Sequence, residues 1–392
     1  MSGIYLDHAA TTATLPEVVD EMKPYYTKEF YNPSSAYQPS QEVKKKIETV
    51  RESIASMIGA EPEEIYFTSG GTEADNWALT MQAKTQDEQW GHIITSSIEH
   101  HAIGHICNRI EQQGGKVTYL PVDSRGRVHV EDVQAAITEQ TTLLSIMYAN
   151  NEIGTIQPIH EIGMLAKERG IAFHTDAVQA CGQVPIHVKK DGISMLSASA
   201  HKFQGPKGVG FLYIQKDLPI RRFLEGGGQE RGVRAGTENV PGIIGMGKAL
   251  ELAVASMERR QKQETYLRDY LMQRIIREIP YSRINGHQWF RLPNHVSVAF
   301  RFLNSASLLV MLDMEHIYAS GGSACNTGDP EPSHVIQAIQ VPKEYQEGVI
   351  RFTLGAENTK QEIDHVVEVL KQRVAELRKQ SPEYEDYQKR ES

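Results

Sequence analysis

Cysteine is scarce in this sequence: Cys107, Cys181 and Cys325 are all that occur among 392 residues. So sparse and odd a set excludes a disulfide framework and points to a reducing compartment. No C-x-x-C pair is present, so zinc-ribbon and thioredoxin-type chemistry lack their ligands. Basic charge is also short. Lys and Arg number 41 against 50 Asp and Glu, a net charge of −9, and no cluster marks a nucleic-acid groove. Mean hydropathy is −0.42, and no apolar run approaches the ~18 residues that span a bilayer. The opening MSGIYLDHAATT has neither a basic n-region nor an apolar h-region, so no signal peptide is expected. Internal repeats are not visible either. What these absences leave is a cytoplasmic enzyme with no membrane and no direct nucleic-acid partner.

What is present is α/β patterning. Hydrophobic residues make up 40% and charged residues 23%, which are globular values. The length suits roughly two domains. Apolar, β-branched runs at 63–70, 92–100, 116–122, 141–151, 171–179, 192–202 and 208–214 read as strands. Helical patterns separate most of them, at 73–85, 102–114, 130–137 and 159–170. Strand–helix alternation predicts βαβ crossovers and a mostly parallel seven-stranded sheet flanked by helices. We assign it to a large domain, 14–258. The pattern then changes to one long helix at 245–280, strands at 295–300 and 349–355, and helices near 305–314 and 360–380. This predicts a smaller α+β domain of residues 1–13 and 259–380, with a polar tail, 381–392, expected to fray.

Ligands of open parallel sheets sit at the carboxyl ends of the strands. After the first strand come Gly70, Gly71 and Thr72, opening a helix: an anion site suited to phosphate. No G-K-[ST] follows, so a nucleotide P-loop is not supported. The next strands deliver His100, Asn151, Asp176 and Gln179, then Ser199, His201 and Lys202. A carboxylate after a buried strand needs a cationic partner or a hydrogen-bond cage. A lysine there has a reason to be buried if it forms a Schiff base with a carbonyl cofactor. Phosphate anchor, acid, lysine and stacking histidine together describe pyridoxal 5′-phosphate (PLP). His101, His105 and Cys107 lack a closed ligand set, so no metal is expected. Cys107 sits on an apolar helical face and Cys181 just after a strand, both as buried fillers. Cys325, among Gly321, Gly322 and Gly328, reads as a loop cysteine (about 320–333).

With these residues in place, the sequence resembles the class I cysteine desulfurases of the NifS/IscS type, within the fold-type I PLP enzymes. The resemblance rests on YLDHAATT (5–12), NPSS (32–35), FTSGGTEADN (67–76), EHHA (99–102), NNEIG (150–154), FHTDAVQ (173–179), SASAHKFQGPKGVG (197–210), GGGQERGVRAGTENV (226–240), SGGSACNTG (320–328), EPSHV (331–335) and RFTLG (351–355). It implies that Lys202 holds PLP, Asp176 pairs with the pyridine nitrogen, Gln179 contacts the ring hydroxyl and His100 stacks on the ring and shuttles protons. Gly71, Thr72, Ser199 and His201 would bind the phosphate, with Thr237 reaching it from the other subunit of a homodimer. Asn151 and Arg351 would hold the carboxylate of L-cysteine, and Cys325 would take its sulfur as a persulfide. L-Alanine leaves, and the sulfur goes to an acceptor protein such as an iron–sulfur scaffold or a tRNA thiolase. The chain departs from the family at Tyr37, Ser40 and Ala356, where His, Gly and Arg are frequent. A selenocysteine lyase or aminotransferase on the same fold, and a non-catalytic sulfur-relay scaffold, are the alternatives. The loop cysteine weighs against an aminotransferase, and the intact set Lys202, Asp176 and Cys325 against the scaffold.

Overall fold

The computed structural model describes residues 3–84, 89–321 and 332–391. After a short β1 (Ile4–Tyr5), the main sheet comprises β2 (Ile65–Thr68), β3 (His92–Ser96), β4 (Lys116–Leu120), β5 (Thr141–Ser145), β6 (Ala172–Asp176), β7 (Met195–Ser199) and β8 (Gly210–Ile214). Their spatial order is β2-β8-β7-β6-β5-β3-β4. All run in one direction except β8, which is antiparallel to both β2 and β7. The connection between β7 and β8 carries no crossover helix, only a 3₁₀ turn at Ala200–Lys202, so the chain returns antiparallel. Gly210 permits that tight return: a Cβ there would lie 2.3 Å from the Ala198 carbonyl oxygen. Strands β3, β6, β7 and β8 are buried along their whole length, as continuous apolar strands between helix layers must be.

A second sheet combines β9 (Ser282–Asn285), β10 (His295–Phe300), β12 (Ser320–Gly321) and β13 (Val349–Thr353), in the order β12-β13-β10-β9 and antiparallel throughout. Between them β11 (Ile317–Tyr318) pairs with β1 in parallel. Leu6, Leu271, Phe300, Leu312, Phe352 and Val367 belong to its separate core. Register places Ser320 opposite Arg351.

Three features differ from the sequence expectation. The long helix is two helices, Val240–Ala255 and Met257–Glu278, bent by 69°. The break falls at Ser256, whose amide and hydroxyl both donate to the Leu252 carbonyl, at 3.1 and 2.7 Å. The polar tail is helical at Pro382–Glu391. Tyr384 and Tyr387 pack on Tyr281 and Phe302, with Arg301 over the Tyr387 ring, so aromatic contact supplies what its composition hides. The sequence reading also passed over Gln38–Ile58, a 21-residue helix ended by left-handed Gly59. No single helix among the described residues is long and apolar enough to cross a membrane.

Candidate active site

The strands stop earlier than their apolar runs. β5 ends at Ser145, β6 at Asp176 and β7 at Ser199, and the residues beyond them form turns over the sheet edge. Those turns, with the start of the helix Gly71–Gln82, enclose a cavity of about 330 Å³. Gly71, Thr72, His100, Asn151, Asp176, Gln179, Ser199, His201, Lys202 and Arg351 all line it. A larger hollow of about 510 Å³ lies at the amino ends of β6 and β7, beside Lys167, Lys189 and Tyr213, and includes none of them. The carboxyl-end position is the one that parallel-sheet topology favours.

At one wall the helix Gly71–Gln82 begins without a side-chain cap, because its N-cap is Gly70. Its first amides and dipole therefore face the cavity, with Thr72 and Ser199 beside them. A Cβ on Gly71 would lie 2.5 Å from Val178 Cγ2, so the close seating requires glycine. His201 Nδ1 is 3.1 Å from Thr11 Oγ1. Burial, helped by the Lys202 charge, pushes this imidazole down to about 4, leaving it neutral.

On the floor, Asp176 is 6% exposed and its Oδ1 accepts the Val178 amide at 2.9 Å. Burial raises its carboxyl, while His100 and Lys202 pull it back. Asp75, on the same cavity, is held well above the usual carboxylate range by burial and by Asp176. His100 caps the helix His101–Gln112 through its Nδ1, which accepts the Ala102 amide. Burial lowers its pKa. Lys202 Nζ donates to the carbonyls of Ala9 (2.5 Å) and Ala10 (2.8 Å), and Gln179 Nε2 donates to Ala9 as well (3.0 Å). The motif DHAATT thus comes to the site as backbone.

Arg351 Nη2 donates to Asp7 Oδ1 at 2.7 Å and Nη1 to the Asn151 carbonyl at 3.1 Å. Thr237 is exposed and outside the cavity. Cys325 lies outside the described residues. Cys107 and Cys181 are buried, and burial pushes each thiol up to about 12. Among the described residues no three His, Cys, Asp or Glu converge as metal ligands.

Sequence reasoning missed the buried acids. Asp75 lines the cavity, Glu99 and Glu152 are buried beside residues that do, and each stands inside a motif quoted above. Burial raises Glu99 to about 8 although Ser96 Oγ and the Met147 amide bond it. The signal was an acid beside a strand-end motif. Burial, which decides its protonation, is not written in the sequence.

These residues fit PLP. An uncapped helix start with two hydroxyls suits a dianionic phosphate. A buried carboxylate with one backbone donor suits a cationic ring nitrogen, and a lysine lies on the same cavity.

The profile of the aminotransferase class-V family matches residues 4–366. A cysteine desulfurase IscS of Clostridium botulinum strain Hall is 50% identical over 388 residues, covering 98% of each chain. A solved NifS-like protein superposes with TM-score 0.90 at 38% identity, over 95% of this chain and 99% of that one. A structure described as SspA in complex with cysteine gives TM-score 0.80 at 36% identity, over 91% and 100%. With one profile spanning both sheets and half of all positions shared with such a relative, the chain belongs to the IscS/NifS-type cysteine desulfurases of the class-V aminotransferase family.

Proposed function

We propose that this protein is a PLP-dependent cysteine desulfurase that removes sulfur from L-cysteine, releases L-alanine and carries the sulfur on Cys325. The supporting observation is one cavity that holds an amine (Lys202), a buried acid (Asp176) and a guanidinium (Arg351). A relative held in complex with cysteine agrees with the substrate.

When bound, PLP supplies an electron sink for the carbanion at the substrate α-carbon. The chain's own residues do the rest. Arg351 and Asn151 orient the carboxylate. Lys202, as a free amine, takes the α-proton, and Asp176 keeps a proton on the ring nitrogen. His100, its pKa lowered by burial, would lie against the ring of the bound cofactor and move protons there. The Cys325 thiolate attacks the substrate sulfur: the S–S bond forms, the C–S bond breaks, and its electron pair ends, with a proton, in the methyl group of alanine. Cys107 and Cys181 stay protonated and buried, which leaves Cys325 as the nucleophile.

The large domain is residues 14–258 and the small one 1–13 with 259–380. A core drawing on Leu6 and on residues from Leu267 onward supports this division. The working unit is a cytoplasmic homodimer in which Thr237 serves the neighbouring site. Acceptors are sulfur-receiving proteins, an iron–sulfur scaffold or a tRNA thiolase.

The test is product analysis. L-Cysteine and a reductant should give L-alanine and sulfide in equal amounts. Cys325→Ala should keep the visible band of lysine-bound cofactor and lose at least about a hundredfold in alanine release. A keto acid in place of alanine, or full turnover by the variant, would overturn the reading.

A further inference from the structure

Arg351, 3% exposed, is already engaged before any substrate arrives. Asp7 accepts from its Nη2 and the Asn151 carbonyl from its Nη1, while its Nε is buried without a partner. The residue after Asn151 is Glu152, 7% exposed. Its carboxylate accepts the Ser333 hydroxyl and feels the charge of Arg351, yet its Oε2 is buried with no partner. One guanidinium therefore answers to two acids. A docking amino-acid carboxylate makes three.

Three anions on one buried cation are not held at equal cost, and one must give up its charge. Asp7 already has its partners: it pairs directly with Arg351 and also accepts the Ser320 hydroxyl at 2.8 Å. His295, facing from β10, is held neutral by burial and by Arg351 and Arg291. Lys202 and His100 lie elsewhere on the cavity wall and serve Asp176. Glu152 is left, with a bare oxygen and no direct cationic partner.

We propose that Glu152 is a positioning residue that takes up a proton from solvent when a carboxylate docks on Arg351, and returns it when that carboxylate leaves. The proposal rests on the desulfurase reading only in taking Arg351 as the carboxylate anchor. The sign follows from burial. Glu152 is already pushed up to about 7. Below that pH its proton is in place and docking needs none. Above it, docking must draw one in, so carboxylate affinity falls with rising pH, by up to about tenfold per pH unit.

Propionate is the probe, since it offers a carboxylate with neither amine nor thiol to react. Calorimetry of propionate binding to the holoenzyme, in two buffers of different ionisation heat, should show about one proton taken up at pH 8 and almost none at pH 6. Glu152→Gln keeps an acceptor for Ser333. It should bind propionate equally at both pH values, without proton uptake and with an unchanged titration of the visible cofactor band. Equal uptake in wild type and variant, or no uptake in wild type, overturns the proposal. If the variant does not fold, the wild-type measurement still decides. L-Alanine release is assayed alongside, and its absence with proton uptake intact would sink the desulfurase reading alone.

Discussion

Lys202 reaches the cavity from a turn and is held there by two main-chain carbonyls, Ala9 and Ala10. Those carbonyls fix where the amine waits. They also tie the first residues of the chain to the site, so the DHAATT motif and a lysine almost two hundred positions on share one cavity wall. Lys202→Ala should abolish the covalent visible band, let the cofactor dialyse away, and reduce alanine formation by more than about a hundredfold. A retained band after dialysis would move the attachment elsewhere. At this scale the titrating residues named from sequence, Asp176, His100 and Lys202, do share a cavity. The acids around them were not legible. Asp75 and Glu99 look like ordinary helix-start and strand-end acids in the sequence. Only three-dimensional burial shows that both are pushed towards the protonated form. The Glu99 bond to Ser96 is local, three positions apart, but the Asp75 bond to Ser197 joins a helix to a distant strand, which no spacing rule brings together.

Elements explain how side chains from so many strands converge. Each strand stops where the sheet edge opens, although the apolar run continues, because the last residues leave the ladder to turn over the cavity. Runs such as 141–151 and 192–202 are therefore half strand and half turn, and apolar content cannot divide them. The break at Ser256 was hidden for a related reason: serine is tolerated within helices, and its hydroxyl bond back to the Leu252 carbonyl is a local choice that composition does not record. The start of the helix Gly71–Gln82 was legible only in company with its neighbours, since glycines before a helical pattern serve a plain tight turn as readily as an anion site. Gly71→Ala tests it. The added methyl meets Val178 Cγ2 at 2.5 Å, and overpacking of this kind costs about 1–3 kcal/mol. The strain falls on the wall assigned to phosphate. The variant should therefore bind PLP about ten- to a hundredfold more weakly in equilibrium titration while its melting temperature in the absence of PLP drops by only a few degrees. Unchanged affinity would show that this helix start does not carry the phosphate.

On the scale of the whole molecule, one segment is built to face outward. Arg51 grips Glu230 in a buried two-point pair, both contacts at 2.9 Å, and the Phe67 amide adds a third bond to the same carboxylate. Such a pair costs desolvation and is worth keeping where it fixes a position. Arg234 bonds Glu73 at 2.7 and 3.0 Å, on the first turn of the helix whose start lines the cavity. Between these anchors and Val240 the chain presents Gly236, Thr237 and Asn239 to the outside. A rigidly footed segment with an exposed tip suits a neighbour's site better than its own. Mixed dimers separate the two cases. Thr237→Ala alone should weaken PLP binding about ten- to a hundredfold, the loss expected for a hydrogen bond to a charged group. Lys202→Ala alone should be inactive. If Thr237 acts across the interface, a heterodimer of the two variants gathers both defects in one site and leaves the other intact, so tight cofactor binding and alanine release return at one site per dimer. If Thr237 acts within its own chain, no site in the heterodimer is whole, and isolated heterodimers carrying two different affinity tags show only the weak binding of the Thr237→Ala protein.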